Sequence, residues 1–262
     1  MPEGDTLARS AAGLRPWLVG RVIRIARVRQ PGPRLEKVIG ATVTGVDAQG
    51  KNLLVRLDNG LEIRTHLGMH GSWHRYRPDE RWRRAPSRAR LVLEVPGSVA
   101  VCFDAPVVEL FEQRAEHLHP SLSRLGPDLV RDDADLDEAV RRLRAPEQTD
   151  TSIAEALLDQ RALAGIGNEV KNAVLWQAGV SPFARVGDLE DATLRGLVDA
   201  AAAMLRAGAA TGSRPRSIYR RAGRPCPRCG TLVRVEHQGR DLPRLTFWCP
   251  QCQPAPARGD EP

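Results

Sequence analysis

No apolar run in this chain approaches the roughly 18 residues that a membrane-spanning helix needs, which argues against a helical membrane protein. The opening MPEGDTLARS holds acids and no apolar h-region, so no secretory leader is expected and a cytoplasmic protein is. Lysine is nearly absent. Of 39 basic residues only Lys37, Lys51 and Lys171 are lysines; the other 36 are arginines. Arginine does not readily give up its proton, so acid–base or phosphate roles suited to lysine have only three positions to fall on. Cysteine is scarce too. Of five, four form the pairs Cys226/Cys229 and Cys249/Cys252, and Cys102 stands alone in the apolar stretch AVCF, where it reads as a buried, inert thiol.

What is present is ordinary for a folded protein. With 262 residues and 42% hydrophobic positions, the chain can bury a core as one large or two modest domains, and full disorder is excluded. The net charge of +7 favours a polyanionic partner, nucleic acid ahead of an anionic membrane surface.

Along the chain the hydrophobic period changes. Leu7, Ala11, Leu14 and Leu18 make a helical stripe that ends near Gly20. Strands are expected at 22–28, 41–46, 53–57, 61–66, 90–95 and 99–103, with hairpin turns at Asp58-Asn59-Gly60 and Pro96-Gly97, and an exposed Arg-, Pro- and Asp-rich loop at 75–90. This spacing suggests a β-sandwich or barrel. Helices follow at 135–143, at 152–161 behind a Ser152/Glu155 capping box, at 169–178 and at 189–207. The end of the chain returns to short strands, at 231–235 and 245–248, around the cysteines.

Four features carry chemistry. Cys226, Cys229, Cys249 and Cys252 have the spacing C-x2-C-x19-C-x2-C, which can close a tetrahedral thiolate shell round one structural Zn²⁺. Disulfides or free thiols are the alternative. Six arginines without an acid between Arg214 and Arg228, and Arg244 near the expected hairpin turn, tilt that module from a protein–protein clip toward phosphate binding. AGIGN lies between two helices, and Asn168 opens the second, where free N–H groups suit a phosphate; plain helix packing is the competing reading. Pro2 follows Met1, whose removal would expose a secondary amine of modest basicity beside Glu3, a nucleophile next to a proton carrier. Taken alone, Pro2-Glu3-Gly4 reads first as a plain helix start. Lys51, after Gly50 at a hairpin entry, could hold a phosphate or donate a proton, or be a solvated strand-end lysine.

Together MPEGDT, GKNLLV, LLDQRALAGIGNEVKNAVLWQAGV and RPCPRCG…RLTFWCPQCQ, in this order over essentially the whole chain, resemble the formamidopyrimidine-DNA glycosylase/endonuclease VIII family of DNA repair enzymes. The resemblance implies a two-domain α+β protein. Residues 1–118 would form an N-terminal helix and catalytic β-sandwich, 119–216 a helical domain with a helix–two-turn–helix motif, 217–253 a zinc finger on a β-hairpin, and 254–262 a disordered tail. It implies a monomeric base-excision glycosylase and abasic-site lyase acting on damaged DNA, with no membrane partner. Pro2 would attack C1′, Glu3 would move protons, and Lys51 would contact phosphate and assist proton transfer. Asn168 and Arg244 would grip phosphates. Met69 and His70, in HLGMHGSW, would fill the gap left by the flipped nucleotide. PEGDT, with Gly4, is closer to the branch that removes oxidised pyrimidines, whereas HLGM is closer to the oxidised-purine branch. That second branch carries further gap-filling residues in an Asp-Pro-Arg-Arg-Phe segment, and FDAPVVELF here has neither the arginines nor the phenylalanine in place. The pyrimidine branch is therefore expected, with the purine branch or a catalytically silent zinc-ribbon DNA-binding protein as alternatives. The family's usual third acidic helper is altered, and Asp5 could partly replace it.

Overall fold

The helical stripe of the N-terminus and the alternating strands after it need a common apolar layer to bury. The computed structural model, which describes residues 2–239 and 243–254, shows that layer inside the first of two compact units, Met1–Arg124 and Leu125–Pro262.

In the first unit, helix α1 (Gly4–Leu18) buries Leu7, Ala11, Leu14 and Leu18. Eight strands follow: β1 (Ile25–Val28), β2 (Val43–Gln49), β3 (Asn52–Leu57), β4 (Leu61–His66), β5 (Ser72–Tyr76), β6 (Ala89–Val95), β7 (Ser98–Phe103) and β8 (Val107–Glu112). They form two antiparallel four-stranded sheets, ordered β1-β6-β7-β5 and β2-β3-β4-β8. One dry cluster joins both sheets to the helix, with Val46, Leu53, Val55 and Ile63 from one sheet, Leu91, Leu93, Ala100 and Cys102 from the other, and Leu7 and Leu14 from α1. Trp73 crosses the layer, its Nε1 donating to Thr65 Oγ1 at 3.0 Å. The β-sandwich is therefore as expected. Cys102 is wholly buried and burial pushes its thiol pKa up, so it stays a neutral core residue.

Strands β5 and β8 lie outside the six expected segments. Ser-Trp-His-Arg-Tyr carries too many polar residues to read as a strand until β7 pairs with it, and β8 is an edge strand whose partly buried pattern is set by pairing with β4. The expected first strand at 22–28 contracts to β1, with Val22 held in a single bridge to Thr42. The second strand continues past 46 to Gln49.

The loop at 75–90 is exposed over most of its length but tethered at Trp82. That ring stacks at 6.1 Å on Tyr76 and meets Phe103 edge-on at 5.8 Å, extending a second apolar cluster on the far face of the β1-β6-β7-β5 sheet.

The second unit is helical: α2 (Leu136–Leu143), α3 (Ile153–Ala156), α4 (Asn168–Ala178) and α5 (Asp191–Thr211), then a hairpin of β9 (Arg234–Gln238) and β10 (Arg244–Trp248). Its core draws Leu143, Ile153, Leu157, Ile166, Val174, Leu194, Val198 and Leu205 together. Asp135 caps α2 by accepting from the Glu138 N–H at 2.8 Å. The capping box at Ser152/Glu155 is present, with Ser152 Oγ donating to Glu155 Oε2 at 2.6 Å, yet the helix stops at Ala156 instead of running to Arg161. The backbone there has other partners. Gly126 N–H donates to Gln160 O and Ala164 N–H to Pro127 O, so the incoming connector captures the segment, while Asp159 Oδ1 accepts from Arg161 N–H. Helix α5 runs beyond the expected 207 to a left-handed cap at Gly212. The hairpin's first strand lies three residues later than expected. Of the expected tail at 254–262, all beyond Pro254 lies outside the described residues, as does Met1.

Candidate functional site

Pro2 is half-buried and leads directly into α1, and Glu3 is its N-cap, with no solvent exposure. The Glu3 carbonyl accepts from the Thr6 and Leu7 N–H groups, at 2.9 and 3.2 Å. Asp5 is also buried and folds back on the first turn, its Oδ1 accepting from Thr6 N–H at 2.6 Å and Thr6 Oγ1 at 3.2 Å. Its carboxylate lies in the first turn of α1, where negative charge meets the positive end of the dipole.

Lys51 occupies the turn between β2 and β3, against which α1 packs. Gln49 pairs with Asn52, leaving Gly50-Lys51 as a two-residue loop. Gly50 has φ +56°, a conformation that costs glycine little, and it throws Lys51 out at the tip. The base of the turn is fixed from below. Asn52 Nδ2 donates to Gln49 O at 3.0 Å, and Asn52 Oδ1 accepts from Arg64 Nε at 2.9 Å. Arg64, nearly buried, is ion-paired with Glu109, which His119 Nε2 also meets at 3.0 Å. Burial pushes the Glu109 carboxyl up, but the hydrogen bonds and charges of Arg64 and His119 outweigh it and hold the pKa below the ordinary value. His66, opposite Asn52 across the β3–β4 pair, has its pKa lowered by burial and then by the nearby charges of Arg64 and Lys51, so it is neutral at pH 7. The Asn52–Arg64–Glu109–His119 rail has no local sequence signature; only strand register brings it together.

Met69 and His70 stand at the tip of the β4–β5 connection, which crosses from one sheet to the other. Met69 is 55% exposed. Two glycines shape this tip. Gly68 has φ +57°, and a Cβ there would sit 2.9 Å from Pro106. A Cβ on Gly71 would fall 2.3 Å from the Leu67 carbonyl oxygen, which instead accepts the Gly71 N–H at 2.8 Å.

In the second unit Asn168 is the first residue of α4, behind the N-cap Gly167. Its Nδ2 donates to Leu245 O of β10 at 2.8 Å, committing one of two amide hydrogens to the hairpin, and its buried Oδ1 has no hydrogen-bond partner. Next to it the structure reveals two residues that sequence reasoning left without a role. Lys171 is 1% exposed, and its Nζ donates to Thr246 Oγ1 at 2.8 Å. Asn172 Oδ1 accepts the Phe247 N–H at 2.7 Å. Thr246 Oγ1 donates on to Gln238 Oε1, and Gln238 Nε2 to Ser152 Oγ. A buried polar chain thus ties α4 to the β9–β10 hairpin and to α3. The scarcity of lysine was the only signal that could have marked Lys171. Arg244 begins β10, opposite Gln238 and half-buried.

The arginine run is not wholly available for phosphates. Arg214 is paired with Glu169 at 3.0 Å, and Arg228 lies over the Trp176 ring at 4.7 Å while donating to Gln177 O.

Cys226, Cys229, Cys249 and Cys252 converge with all four sulfurs within 4.8 Å of one another. Neighbouring sulfurs are 3.4 Å apart for Cys229–Cys249 and Cys229–Cys252, and 3.9 Å for Cys226–Cys252. A tetrahedral zinc with bonds of about 2.3 Å sets its sulfurs about 3.8 Å apart, so the four fit one metal ion of that size.

Two family models match the chain: the N-terminal domain of formamidopyrimidine-DNA glycosylase over residues 1–106, and the H2TH domain of the same glycosylase over residues 125–218. Among curated relatives, the chain is 39% identical to a "Probable endonuclease 8 2" of Streptomyces coelicolor, covering 98% of this chain and 95% of that one. It is 36% identical to the "DNA-(apurinic or apyrimidinic site) lyase Nei2" of Mycolicibacterium smegmatis, over 97% of this chain and all of the other. Among solved structures, the MutM (Fpg) protein of Thermus thermophilus superposes with a TM-score of 0.81 at 27% identity, over 96% of this chain and 98% of that one.

Proposed function

The chain belongs to the formamidopyrimidine-DNA glycosylase family of DNA glycosylase/lyases, on its endonuclease VIII-like side, and from that premise we propose that it excises oxidised pyrimidines from DNA through an N-terminal proline. In this reading Met1 is removed and the Pro2 nitrogen attacks C1′ of the damaged nucleotide. The C1′–base bond breaks, with Glu3 supplying the proton. Ring opening leaves an iminium cation between Pro2 and C1′, which acidifies the C2′ hydrogens. Loss of one expels the 3′ phosphate, and a second elimination expels the 5′ phosphate. Lys51, presented at the tip of a rigid hairpin, contacts phosphate and assists the proton transfers. Asn168 and Arg244 hold flanking phosphates, and Met69 and His70 fill the space left by the extruded base, whose unstacking costs a few kcal/mol. The metal held by the four cysteines is one structural zinc: four thiolates leave no open position for catalysis.

The observation that carries the pyrimidine preference is the β7–β8 connection. It consists of Asp104-Ala105-Pro106, with Asp104 in the left-handed region at φ +52° and Ala105 buried. Nothing in it can reach into a duplex in the way the resemblance assigns to the purine branch. A second reading, removal of oxidised purines, is favoured by Leu67-Gly68-Met69 in the gap-filling loop.

Two measurements test the proposal. Borohydride reduction with abasic-site DNA is expected to give a covalent adduct on the protein lacking Met1; no adduct would mean a silent DNA-binding protein. A lesion panel is expected to show faster release of 5-hydroxycytosine and thymine glycol than of 8-oxoguanine, and the reverse order would establish the purine reading.

A further inference from the structure

The tip that carries Met69 and His70 has two glycines and an exposed methionine, yet a gap-filling wedge must be stiff to displace a base. The stiffness comes from outside the loop. Arg84 Nη1 donates to the His70 carbonyl oxygen at 3.1 Å and to Asp104 Oδ2 at 2.7 Å. Arg88 meets the same carboxylate through Nε at 2.9 Å and Nη2 at 2.7 Å, while the Asp104 N–H donates to Arg88 O at 3.0 Å. Arg88 first, then Arg84, hold the Asp104 carboxyl below its ordinary pKa, so the anchor is charged at any working pH. Arg84 is itself delivered from a fixed base. Two residues earlier Trp82 is pinned between Tyr76 and Phe103, and the Arg83 N–H donates to the Tyr76 hydroxyl at 3.1 Å.

We propose that Arg84, anchored on Asp104, is a positioning residue that holds the Met69–His70 wedge in its inserting conformation. This rests on the reading of that loop as the gap filler. Three segments meet here: the wedge loop, the tethered arginine-rich loop and the three-residue β7–β8 connection. The connection carries no arginine or aromatic side chain to insert, and its Asp104 braces the loop that does. A guanidinium is suited to this because both bonds leave one nitrogen whose two hydrogens are fixed in the guanidinium plane, a direction that an ammonium on a flexible stem holds less well. Loss of the brace leaves Met69 and His70 in place but loose, so their contribution to holding an opened duplex falls.

The experiment reads insertion without needing chemistry. A duplex carries a tetrahydrofuran abasic analogue opposite 2-aminopurine, and fluorescence is recorded with protein at saturation. The wild-type chain is expected to raise it as the wedge displaces the orphaned base. Arg84→Ala is expected to keep less than a third of that rise at the same saturation, and Arg84→Lys an intermediate share. Asp104→Asn, which tolerates the left-handed turn, is expected to behave like Arg84→Ala. In parallel, the ratio of borohydride adduct on duplex to that on single-stranded abasic DNA is expected to fall about tenfold in Arg84→Ala, because only duplex needs the gap filled. A wild-type rise in both Arg84→Ala and Asp104→Asn overturns the proposal, as does a wild-type complex with no rise at all. Failure of the proposed chemistry looks different: the wild-type chain then gives no adduct with single-stranded abasic DNA, while the fluorescence still decides the role of Arg84.

Discussion

The two ends of this protein present their candidate site residues in opposite ways. The first unit builds a large dry core from two sheets and a helix and places its candidate chemistry where that core stops: at the start of α1, at a two-residue hairpin tip and at a loop between sheets. The C-terminal hairpin has a small apolar cluster of Trp176, Ile218, Cys226, Val233, Phe247 and Cys249. It is held instead by four thiols and by a buried polar chain through Asn168, Lys171, Asn172, Thr246 and Gln238. Pro2, Lys51 and Met69 stand outside the buried core of the sandwich, whereas the candidate site on the hairpin shares its residues with what keeps the hairpin folded.

The sharpest way to break this contrast is at Pro2. Adding one residue ahead of it is expected to reduce borohydride-trapped adduct by at least about a thousandfold, since the nucleophile is removed, while the melting of the first unit stays as it was. A large loss of stability would show that the terminus belongs to the core after all. Cys249→Ser is expected to do the reverse. If the four thiols hold zinc as proposed, metal analysis is expected to find one zinc per wild-type chain and none in the variant, and affinity for abasic duplex is expected to weaken by about tenfold or more, because metal binding and folding of such a module are coupled. The first unit's transition remains.

Lys171→Met probes the polar chain. Removing the ammonium takes away the donor to the buried Thr246 Oγ1, and a loss of about 2 kcal/mol is expected in denaturant unfolding of the second unit. Equal stability would mean that the apolar cluster alone holds the hairpin.

The smallest effect lies in the first unit's acid cluster. Glu62 is fully buried beside Arg56, which also faces Asp47 and Glu116. Burial raises its pKa to about 7 despite the opposing charge of Arg56. A carboxyl with a raised folded pKa favours folding when protonated. Its contribution is therefore complete below the ordinary value near 4.5 and is lost as pH rises through about 7. Glu62→Gln is expected to flatten the fall in melting temperature between pH 5 and 8, a change of order 1–2 kcal/mol. An unchanged slope would place the titration elsewhere.

Much of this was legible in the chain. The α1 stripe, the β3 and β4 segments, the Asp58-Asn59-Gly60 turn and the cysteine pairs are local patterns that report local structure, and all four are found. What failed did so for one physical reason. Strand β5 looks polar until β7 supplies its partner, and the segment after Ala156 is bonded through Gln160 and Ala164 to the connector that precedes it instead of continuing the helix. Among candidate site residues, the sequence named the groups at turns and termini, whose identity matters more than their surroundings. It was silent on Arg64, Lys171 and Arg84, whose significance lies in which distant atoms they meet.

The sequence by itself determined the two-unit α+β plan, the thiolate set and the reactive-looking terminus, because period, spacing and residue chemistry are written in consecutive positions. Tertiary structure alone decided that Asn52, Arg64 and Glu109 form a rail under Lys51, that Lys171 is buried against Thr246, and that Arg84 joins the His70 carbonyl to Asp104. Those contacts link residues from 12 to 75 positions apart, and only strand register and packing bring such groups within hydrogen-bond range.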